Sequence, residues 1–354
     1  MDSPNTFTSM SPHLTPAATI SAISDQAMQL VWNRAPIDFQ REAIPRLLMM
    51  RCAPYNPQAL LLVQGTGGGK SAVAQTVGCV DCGVTLIIVE TLALAADQRS
   101  KVTSANGLYG PILAYQLDSI KKKDLVEKLK KKLLSLKKED NTTVFLYTSP
   151  ECLTREPWRS VMVTLIDRRV LKLVCIDEIH LFVMFGITFR KEFTLLKQSF
   201  FRHLVCNRDP RYTYSTGLCH DLKVPLLLMT ATFNNKLLSL LEKMIGVKVL
   251  ANNFLWFGRD KMARRHIRIN VSMTTQSTRY VKKVLELTLA GNLNKKAIVY
   301  TNTAACLEQL RSDLEMWIDM QDNIQGDVLI IQGDLQPEVK FVSAQQFTKH
   351  ITDP

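Results

Sequence analysis

The sequence contains no apolar run of the roughly 20 residues that a membrane-spanning helix requires. Its longest candidate, residues 84–96, is interrupted by Glu90. The N-terminus also lacks a basic segment followed by an apolar core, which is the pattern of a secretory signal. We therefore expect no membrane association and no secretion, and we expect a location in the nucleus or, in a prokaryote, in the cytoplasm.

The cysteines do not form the framework of a disulfide-rich protein. All eight are scattered singly, apart from the pair Cys79 and Cys82. A zinc site needs four ligands at matching spacing, and Cys206, Cys219 and His220 are too irregular to complete one with this pair. The pattern predicts reduced thiols and no bound zinc.

The chain of 354 residues has a formal net charge of +12, with 46% hydrophobic and 21% charged residues. This composition is that of a globular protein, and the length is sufficient for two domains. The positive charge favours a polyanionic partner, of which nucleic acid is the commonest. Because basic proteins are frequent, the charge alone is weak evidence.

Short apolar runs alternate with helical patterns along the chain. Such runs predict the buried strands of a parallel sheet that is covered by helices on both faces, which is the α/β class. The predicted strands are residues 59–63, 84–90, 143–148, 173–178 and 225–232, with a further one at 248–251. A helix is predicted from about Phe39, and others at residues 71–80 and 234–245.

Three segments are predicted along the chain. Residues 1–28 begin with a Ser-, Thr- and Pro-rich stretch and are predicted to be a disordered tail. Residues 29–262 form the first α/β domain. Residues 263–354 begin a second α/β pattern that is short for a complete domain. Its predicted elements are strands at 297–300 and 328–331 and helices at 303–317 and 337–350.

A glycine-rich segment, residues 64–71, reads Gln-Gly-Thr-Gly-Gly-Gly-Lys-Ser between a predicted strand and a predicted helix. In a phosphate loop, Lys70 places a cation against the phosphates and Ser71 offers its hydroxyl group to magnesium. Glycines allow backbone N–H groups to approach the phosphates. The loop residues are Gly65, Thr66, Gly67, Gly68 and Gly69. The standard pattern has glycine where this chain has Gln64. A turn without a ligand is the alternative, which the flanking elements disfavour.

Two adjacent acids, Asp177 and Glu178, end a predicted buried strand. Open parallel sheets bind ligands at this end of their strands. Asp177 is predicted to bind Mg²⁺ through water, and Glu178 to orient and deprotonate an attacking water molecule. Since adjacent residues of a strand point to opposite sides, the two carboxylates need not compete for one place. With the glycine loop, this pair predicts a site for ATP and Mg²⁺.

These motifs resemble motifs I, II and III of superfamily-two helicases, and in detail those of the RecQ family. The matching segments are residues 65–71, 177–180 (Asp-Glu-Ile-His) and 229–232 (Met-Thr-Ala-Thr). Gln40 resembles the glutamine that reads the adenine base. Residues 147–151 resemble the Thr-Pro-Glu segment of the family, and residues 298–302 its motif IV. His180 is either a satisfied core histidine or a link to motif III through the hydroxyl groups of Thr230 and Thr232.

Residues 181–190 resemble the aromatic-rich loop that senses single-stranded DNA in RecQ helicases. Phe185 stands in place of the usual tryptophan, Phe189 and Arg190 match, and polar residues of the family are replaced at 183, 184 and 187. The recurrence of Phe at 182, 185, 189 and 193 fits either a core stripe or a platform on which bases stack.

The resemblance implies a RecA-like P-loop lobe with a partial second lobe. It implies an ATP- and Mg²⁺-dependent 3′–5′ DNA helicase that acts on single-stranded or forked duplex DNA in recombination and repair. Motifs V and VI are not found before residue 354, so we expect a truncated core that binds ATP but turns it over slowly. The alternatives are a nucleic-acid-stimulated ATPase or translocase that does not unwind, and a non-catalytic nucleic-acid-binding remnant.

Nine lysines occur between residues 121 and 138, interleaved with apolar residues at helical spacing. This pattern predicts an amphipathic helix. Its basic face is either a solvated surface, a contact to a phosphate backbone or a nuclear-import signal.

Overall fold

The computed structural model describes residues 16–51, 56–105, 110, 112–138, 140–186, 195–206, 218–258, 277–289, 297–300, 303–320 and 328. The chain divides into two compact units, residues 1–263 and residues 264–354. None of the helices in the described ranges is long and apolar enough to cross a membrane.

The first unit is built on a sheet of seven parallel strands, which confirms the predicted α/β class. The strands are β1 (Ala59–Val63), β2 (Gly83–Ile88), β3 (Ile112–Gln116), β4 (Thr143–Thr148), β5 (Leu171–Ile176), β6 (Leu226–Thr230) and β7 (Phe254–Trp256). Their order across the sheet is β3-β4-β2-β5-β6-β1-β7, and every neighbouring pair is parallel. As a result, the carboxyl ends of all the strands lie at the same edge of the sheet.

Helices connect the strands of the first unit. They are α1 (Pro16–Trp32), α2 (Asp38–Met49), α3 (Lys70–Val80), α4 (Leu92–Thr103), α5 (Lys123–Ser135), α6 (Pro150–Leu153), α7 (Trp158–Asp167), α8 (His180–Gly186), α9 (Arg202–Leu204) and α10 (Asn235–Ile245). A π-helical turn, Lys197–Phe201, leads into α9, and short 3-10 turns occupy Leu117–Ser119 and Ala251–Asn253.

The apolar core lies on both faces of the sheet. In β1 every side chain is buried, and successive residues belong to opposite faces: Leu61 and Val63 pack in one cluster, Leu60 and Leu62 in the other. This is the reason that β1 reads as a continuous apolar run rather than as an alternating pattern.

The prediction of a disordered tail to residue 28 is wrong for residues 16–28, which are helical. In α1 the side chains of Met28 and Val31 are buried, and Trp32 Nε1 donates a hydrogen bond to Thr76 Oγ1 of α3 at 3.0 Å. The prediction followed the Ser- and Thr-rich composition and did not take account of the apolar residues that form one face of this helix. Residues 1–15 lie outside the described ranges.

The predicted strand at 248–251 is also not formed. The backbone N–H of Val249 donates to the Glu242 side chain at 3.0 Å, so it does not form a hydrogen bond to a neighbouring strand. The edge strand is instead β7, three residues of which pair with Leu61, Leu62 and Val63 of β1.

The lysine-rich segment forms α5, which confirms the predicted amphipathic helix. Leu129 and Leu133 are buried on its inner side, while Lys128 and Lys131 are exposed. The function of the lysines remains a prediction.

The second unit contains two described helices, α11 (Ser277–Leu289) and α12 (Ala304–Asp319). The predicted helix at 303–317 is confirmed by α12, and the Thr303 side chain caps it by accepting from Cys306 N. Residues 297–300 are not a strand, because Ile298 and Tyr300 are exposed rather than covered by neighbours. The helix predicted at 337–350 lies outside the described residues, as do residues 329–331 of the strand predicted at 328–331.

Candidate nucleotide site

The three predicted motifs meet at the carboxyl ends of three neighbouring strands. The glycine loop follows β1, residues 229–232 span the end of β6, and the two acids follow β5, with β6 between the other two strands. The backbone N–H of Gln64 donates to the Thr230 carbonyl oxygen at 3.0 Å, and that of Ile179 donates to the Met229 carbonyl oxygen at 2.9 Å. Backbone hydrogen bonds therefore fix the positions of the three motifs relative to one another.

The glycine loop turns around the ammonium group of Lys70. Lys70 is 7% exposed, and its Nζ atom donates to the carbonyl oxygens of Gln64 at 3.0 Å and Gly65 at 3.4 Å. Gly69 precedes α3 with φ at 85°, a conformation that side chains rarely adopt. A cation is thus held at the start of a helix, where backbone N–H groups and the helix dipole already favour anions.

Gln40 lies against this loop from α2. Its Nε2 atom donates to the Gly69 carbonyl oxygen at 3.0 Å, and its Oε1 atom accepts from the Ile37 backbone N–H at 3.1 Å. A Cβ atom on Gly69 would lie 3.0 Å from the same Nε2 atom. Gln40 therefore supports the loop, and contact with an adenine base remains a prediction.

The two acids lie beyond the end of β5, which corrects the prediction that they occupy a strand. The strand ends at Ile176, and Glu178 has a φ of 48°, in the left-handed region. The carboxylates are separated by this turn and not by strand alternation. Positive φ in a residue other than glycine costs free energy, and such residues concentrate at functional sites.

The two carboxyl groups have different environments. Asp177 is 8% exposed, and burial, followed by the nearby Glu178 charge, raises its pKa; the Gln98 hydrogen bond and the Lys70 charge oppose this increase. The neighbouring His180 lowers the pKa of Glu178, while partial burial opposes that change. Glu178 is consequently ionised at neutral pH, as a base that accepts a proton from water must be.

Gln98 of α4 joins the glycine loop to the acids, and no sequence pattern predicted this role. Its Nε2 atom lies 3.2 Å from Ser71 Oγ and 2.9 Å from Asp177 Oδ2. Ser71 and Asp177 therefore share one amide group, although they are distant in sequence. Gln98 is an isolated glutamine within an ordinary helix, and only the folded chain reveals its position.

His180 contacts motif III through Thr230, as predicted. Its Nδ1 atom lies 2.9 Å from Thr230 Oγ1. Thr230 Oγ1 also lies 2.9 Å from the Thr232 carbonyl oxygen, to which its hydroxyl group can donate, and it accepts from the Thr232 N–H at 3.0 Å. Thr232 reaches this network through its backbone, which corrects the prediction that its hydroxyl group contacts His180.

The aromatic-rich segment is only partly described. Phe182 is buried and packs against Phe201, with ring centroids 6.4 Å apart, so this phenylalanine belongs to the core. Residue Phe185 lies in α8, whereas Phe189, Arg190 and Phe193 lie outside the described residues. Their role in contacting nucleic acid remains a prediction.

The residues at the site fit a magnesium ion that is bound together with a nucleotide. Within the described ranges, no group of three or more His, Cys, Asp or Glu residues could hold a metal ion without further ligands. Ser71 Oγ and Asp177 Oδ2 are hard oxygen donors beside the glycine loop. Magnesium prefers such a set, with one or two protein ligands, water and phosphate oxygens.

Comparison with known proteins identifies relatives of this chain. It is 33% identical over 147 residues to the RecQ-like DNA helicase BLM of Xenopus laevis. The aligned region covers 39% of this chain and 10% of that protein. It is 30% identical over 176 residues to the ATP-dependent DNA helicase RecQ of a Synechocystis strain, covering 49% and 32%. The chain thus spans a third or less of the length of these two relatives. They confirm the RecQ resemblance.

Solved structures share the fold at low sequence identity. Saccharomyces cerevisiae Dbp5 bound to RNA and ADP BeF3 has a TM-score of 0.53 at 14% identity, over 96% of this chain and 72% of that chain. The helicase MrfA bound to DNA has a TM-score of 0.54 at 16% identity, over 85% and 39%. These likenesses confirm a RecA-like helicase fold. The DEAD/DEAH box helicase family model matches residues 37–240, more than half of the sequence, and the chain therefore belongs to the DEAD/DEAH box helicase family.

Proposed function

We propose that this chain binds ATP with Mg²⁺ and uses its hydrolysis to move along and unwind DNA, as a 3′–5′ helicase of the RecQ type. The observation that carries the proposal is the shared contact of Ser71 and Asp177 with one amide group. It brings the phosphate loop and the acidic motif to one place, at the edge where parallel sheets bind ligands. The RecQ-like relatives, which are named as DNA helicases, support DNA as the nucleic acid. Recombination and repair are proposed as the process because the chain resembles the RecQ family.

Each polar residue of the site has a defined task in this proposal. The N–H groups of the glycine loop and Lys70 bind the β- and γ-phosphates, whose negative charge complements the start of α3. Magnesium, held by Ser71 and by Asp177 through water, would neutralise phosphate charge. Glu178 orients the attacking water molecule and accepts its proton. A lowered pKa keeps Glu178 ionised and ready for this step.

The contact between His180 and Thr230 offers a route from hydrolysis to nucleic acid. His180 Nδ1 lies 3.3 Å from Glu178 Oε2 and 2.9 Å from Thr230 Oγ1. A change in charge or position at Glu178 therefore alters the contact that His180 makes with Thr230 at the end of β6. Motif III begins there, and we propose that it transmits the state of the nucleotide to the DNA-binding surface.

Two assays test the proposal and separate its alternatives. ATP hydrolysis is measured with and without single-stranded DNA, and strand separation is measured on duplexes with a 3′ or a 5′ tail. We expect DNA-stimulated hydrolysis and unwinding from the 3′ tail, both lost in Lys70→Ala. Hydrolysis without strand separation would indicate a translocase. No stimulation by DNA, and no loss of activity in Lys70→Ala, would indicate a nucleic-acid-binding remnant.

A further inference from the structure

Gln98 occupies the space between the two proposed magnesium-site oxygens. Each of its amide hydrogens has one acceptor, Ser71 Oγ at 3.2 Å and Asp177 Oδ2 at 2.9 Å. An ionised carboxylate only accepts hydrogen bonds, so the nitrogen of the amide faces Asp177. The side chain thereby places positive partial charge at the position that a cation would take.

The other end of the same amide group has no partner. Gln98 is 3% exposed, and its Oε1 atom is buried without a hydrogen-bond donor among the described residues. An unsatisfied buried acceptor destabilises the folded state. A buried polar group without a partner in a native structure requires an explanation, such as a catalytic role or a bound ion.

A second layer of buried polar groups fixes the backbone that carries Gln98. The Gln98 carbonyl oxygen accepts from Tyr147 Oη at 3.3 Å and from Gln75 Nε2 at 3.4 Å, and Gln75 Nε2 also lies 3.2 Å from Tyr147 Oη. Gln75 and Tyr147 are both buried. Thus α4 is anchored at this residue to α3 and to β4. The side-chain amide can change orientation while its backbone stays in place.

We propose that Gln98 is a positioning residue of the magnesium site that serves both its metal-free and its metal-bound form. In the metal-free form the NH₂ group holds Ser71 and Asp177 in place. When the cation is present, the amide presents its oxygen instead and accepts a hydrogen bond from water around the cation. A glutamine amide exchanges its nitrogen and oxygen with almost no change of shape. This inference rests on the proposed nucleotide function.

Two substitutions separate the two parts of this role. Gln98→Met has a similar length but neither donates nor accepts strongly, so it removes both functions. Gln98→Glu keeps only the acceptor and places a second carboxylate beside Asp177. Two carboxylates at this distance repel unless a proton or a cation lies between them. The Glu variant should therefore be destabilised without metal and rescued by it.

Gln116→Met provides a matched control. Gln116 is also 3% exposed, and its Nε2 atom donates to the Leu92 carbonyl oxygen at the start of α4. This glutamine supports the same helix, but its recorded hydrogen bond does not reach Ser71 or Asp177. A general loosening of α4 would affect both glutamine variants alike.

The experiment measures Mn²⁺ affinity by electron paramagnetic resonance of the free ion, in the presence of a non-hydrolysable ATP analogue. Thermal unfolding is recorded with and without Mn²⁺. We expect Gln98→Met to weaken Mn²⁺ binding about 10–100-fold, and Gln116→Met to leave it unchanged. We expect Mn²⁺ to raise the melting temperature of Gln98→Glu more than that of the unmodified chain.

Each possible result of these measurements has a distinct meaning. Equal Mn²⁺ affinity in Gln98→Met and the unmodified chain would overturn the positioning role, as would tighter binding, which would show that the amide only obstructs the cation. An equal melting shift in Gln98→Glu and the unmodified chain would overturn the exchange of donor for acceptor. Binding of a fluorescent ATP analogue to the unmodified chain in the presence of Mg²⁺ is measured first, because a lack of binding there would refute the proposed function instead.

Discussion

The Nδ1 atom of His180 lies 2.9 Å from Thr230 Oγ1, within hydrogen-bond distance. The pair joins the turn that carries Glu178 to the end of β6. A valine at position 230 has the shape of threonine but cannot form this hydrogen bond. We predict that Thr230→Val slows ATP turnover about tenfold, as expected for the loss of one hydrogen bond of about 1.4 kcal/mol.

Thr232→Val is the matched control for that prediction. Thr232 contributes its backbone N–H and carbonyl group, which valine retains. Its turnover should therefore stay close to that of the unmodified chain. Both variants should bind a fluorescent ATP analogue with unchanged affinity. An equal loss in the two variants would show that the hydroxyl of Thr230 has no separate role.

Glu178→Gln should keep nucleotide binding and lose turnover. Glutamine preserves the shape of the side chain but cannot accept a proton from water, so the rate of phosphate release should fall by about 10²–10⁴-fold. Glu127→Gln, on the exposed face of α5, serves as the control for a lost carboxylate. Lost nucleotide binding in Glu178→Gln would mean that Glu178 has a structural role and is not the base.

Asp177 and Glu178 should affect stability in opposite directions. Burial raises the pKa of Asp177, so its ionised form destabilises the fold at neutral pH. We expect Asp177→Asn to be more resistant to urea at pH 7, with a gain that disappears below the ordinary carboxyl pKa of 3.8. His180 lowers the pKa of Glu178, so its ionised form stabilises the fold above 4.5, and this contribution is lost as the pH falls through the lowered pKa.

Because the ionised Glu178 side chain stabilises the fold, Glu178→Gln should be less resistant to urea at pH 7 than the unmodified chain. Asp97→Asn is the control, because Asp97 forms an exposed ion pair with Lys101 on α4. Such a pair is worth at most about 1 kcal/mol. Urea denaturation curves at several pH values measure the stability change of each variant and so test these predictions. A fall in stability for Asp177→Asn at neutral pH would contradict the assigned sign.

Lys70→Ala should weaken ATP binding about 10–100-fold, the effect of losing a charge-assisted hydrogen bond. The lysine is buried in its own loop and directs its ammonium group at two loop carbonyls, so it is already in place before a ligand arrives. Titration with a fluorescent ATP analogue measures the affinity. Lys101→Ala, which removes an exposed lysine from α4, should bind normally.

The sequence was informative where structure is local. The apolar runs predicted β1 and β4 at their observed bounds, and the glycine loop placed the start of α3 correctly to one residue. The left-handed turn at Glu178 was not predicted, because an apolar run followed by two acids does not show at which residue the strand stops pairing with its neighbours. The helix α1 was not predicted for another reason. Its apolar face becomes evident only when the helix is packed against α2 and α3.

The contacts that complete the site could not be read from the chain. Gln98 acts on Ser71 and Asp177 from a helix with no motif of its own, and Gln40 supports Gly69 across a different pair of elements. These are long-range relationships that depend on the order of the strands. Strand order follows from packing of the whole sheet and not from any one segment.

A double-mutant cycle on ATP affinity in the presence of Mg²⁺ tests the central claim most directly. The claim is that the loop after β1 and the acids after β5 act on one bound triphosphate. If they do, Ser71→Ala and Asp177→Asn remove parts of the same metal site, and their combined effect should be smaller than the sum by at least about 1 kcal/mol. Strictly additive losses would show that the two residues act on separate ligands and would contradict the claim.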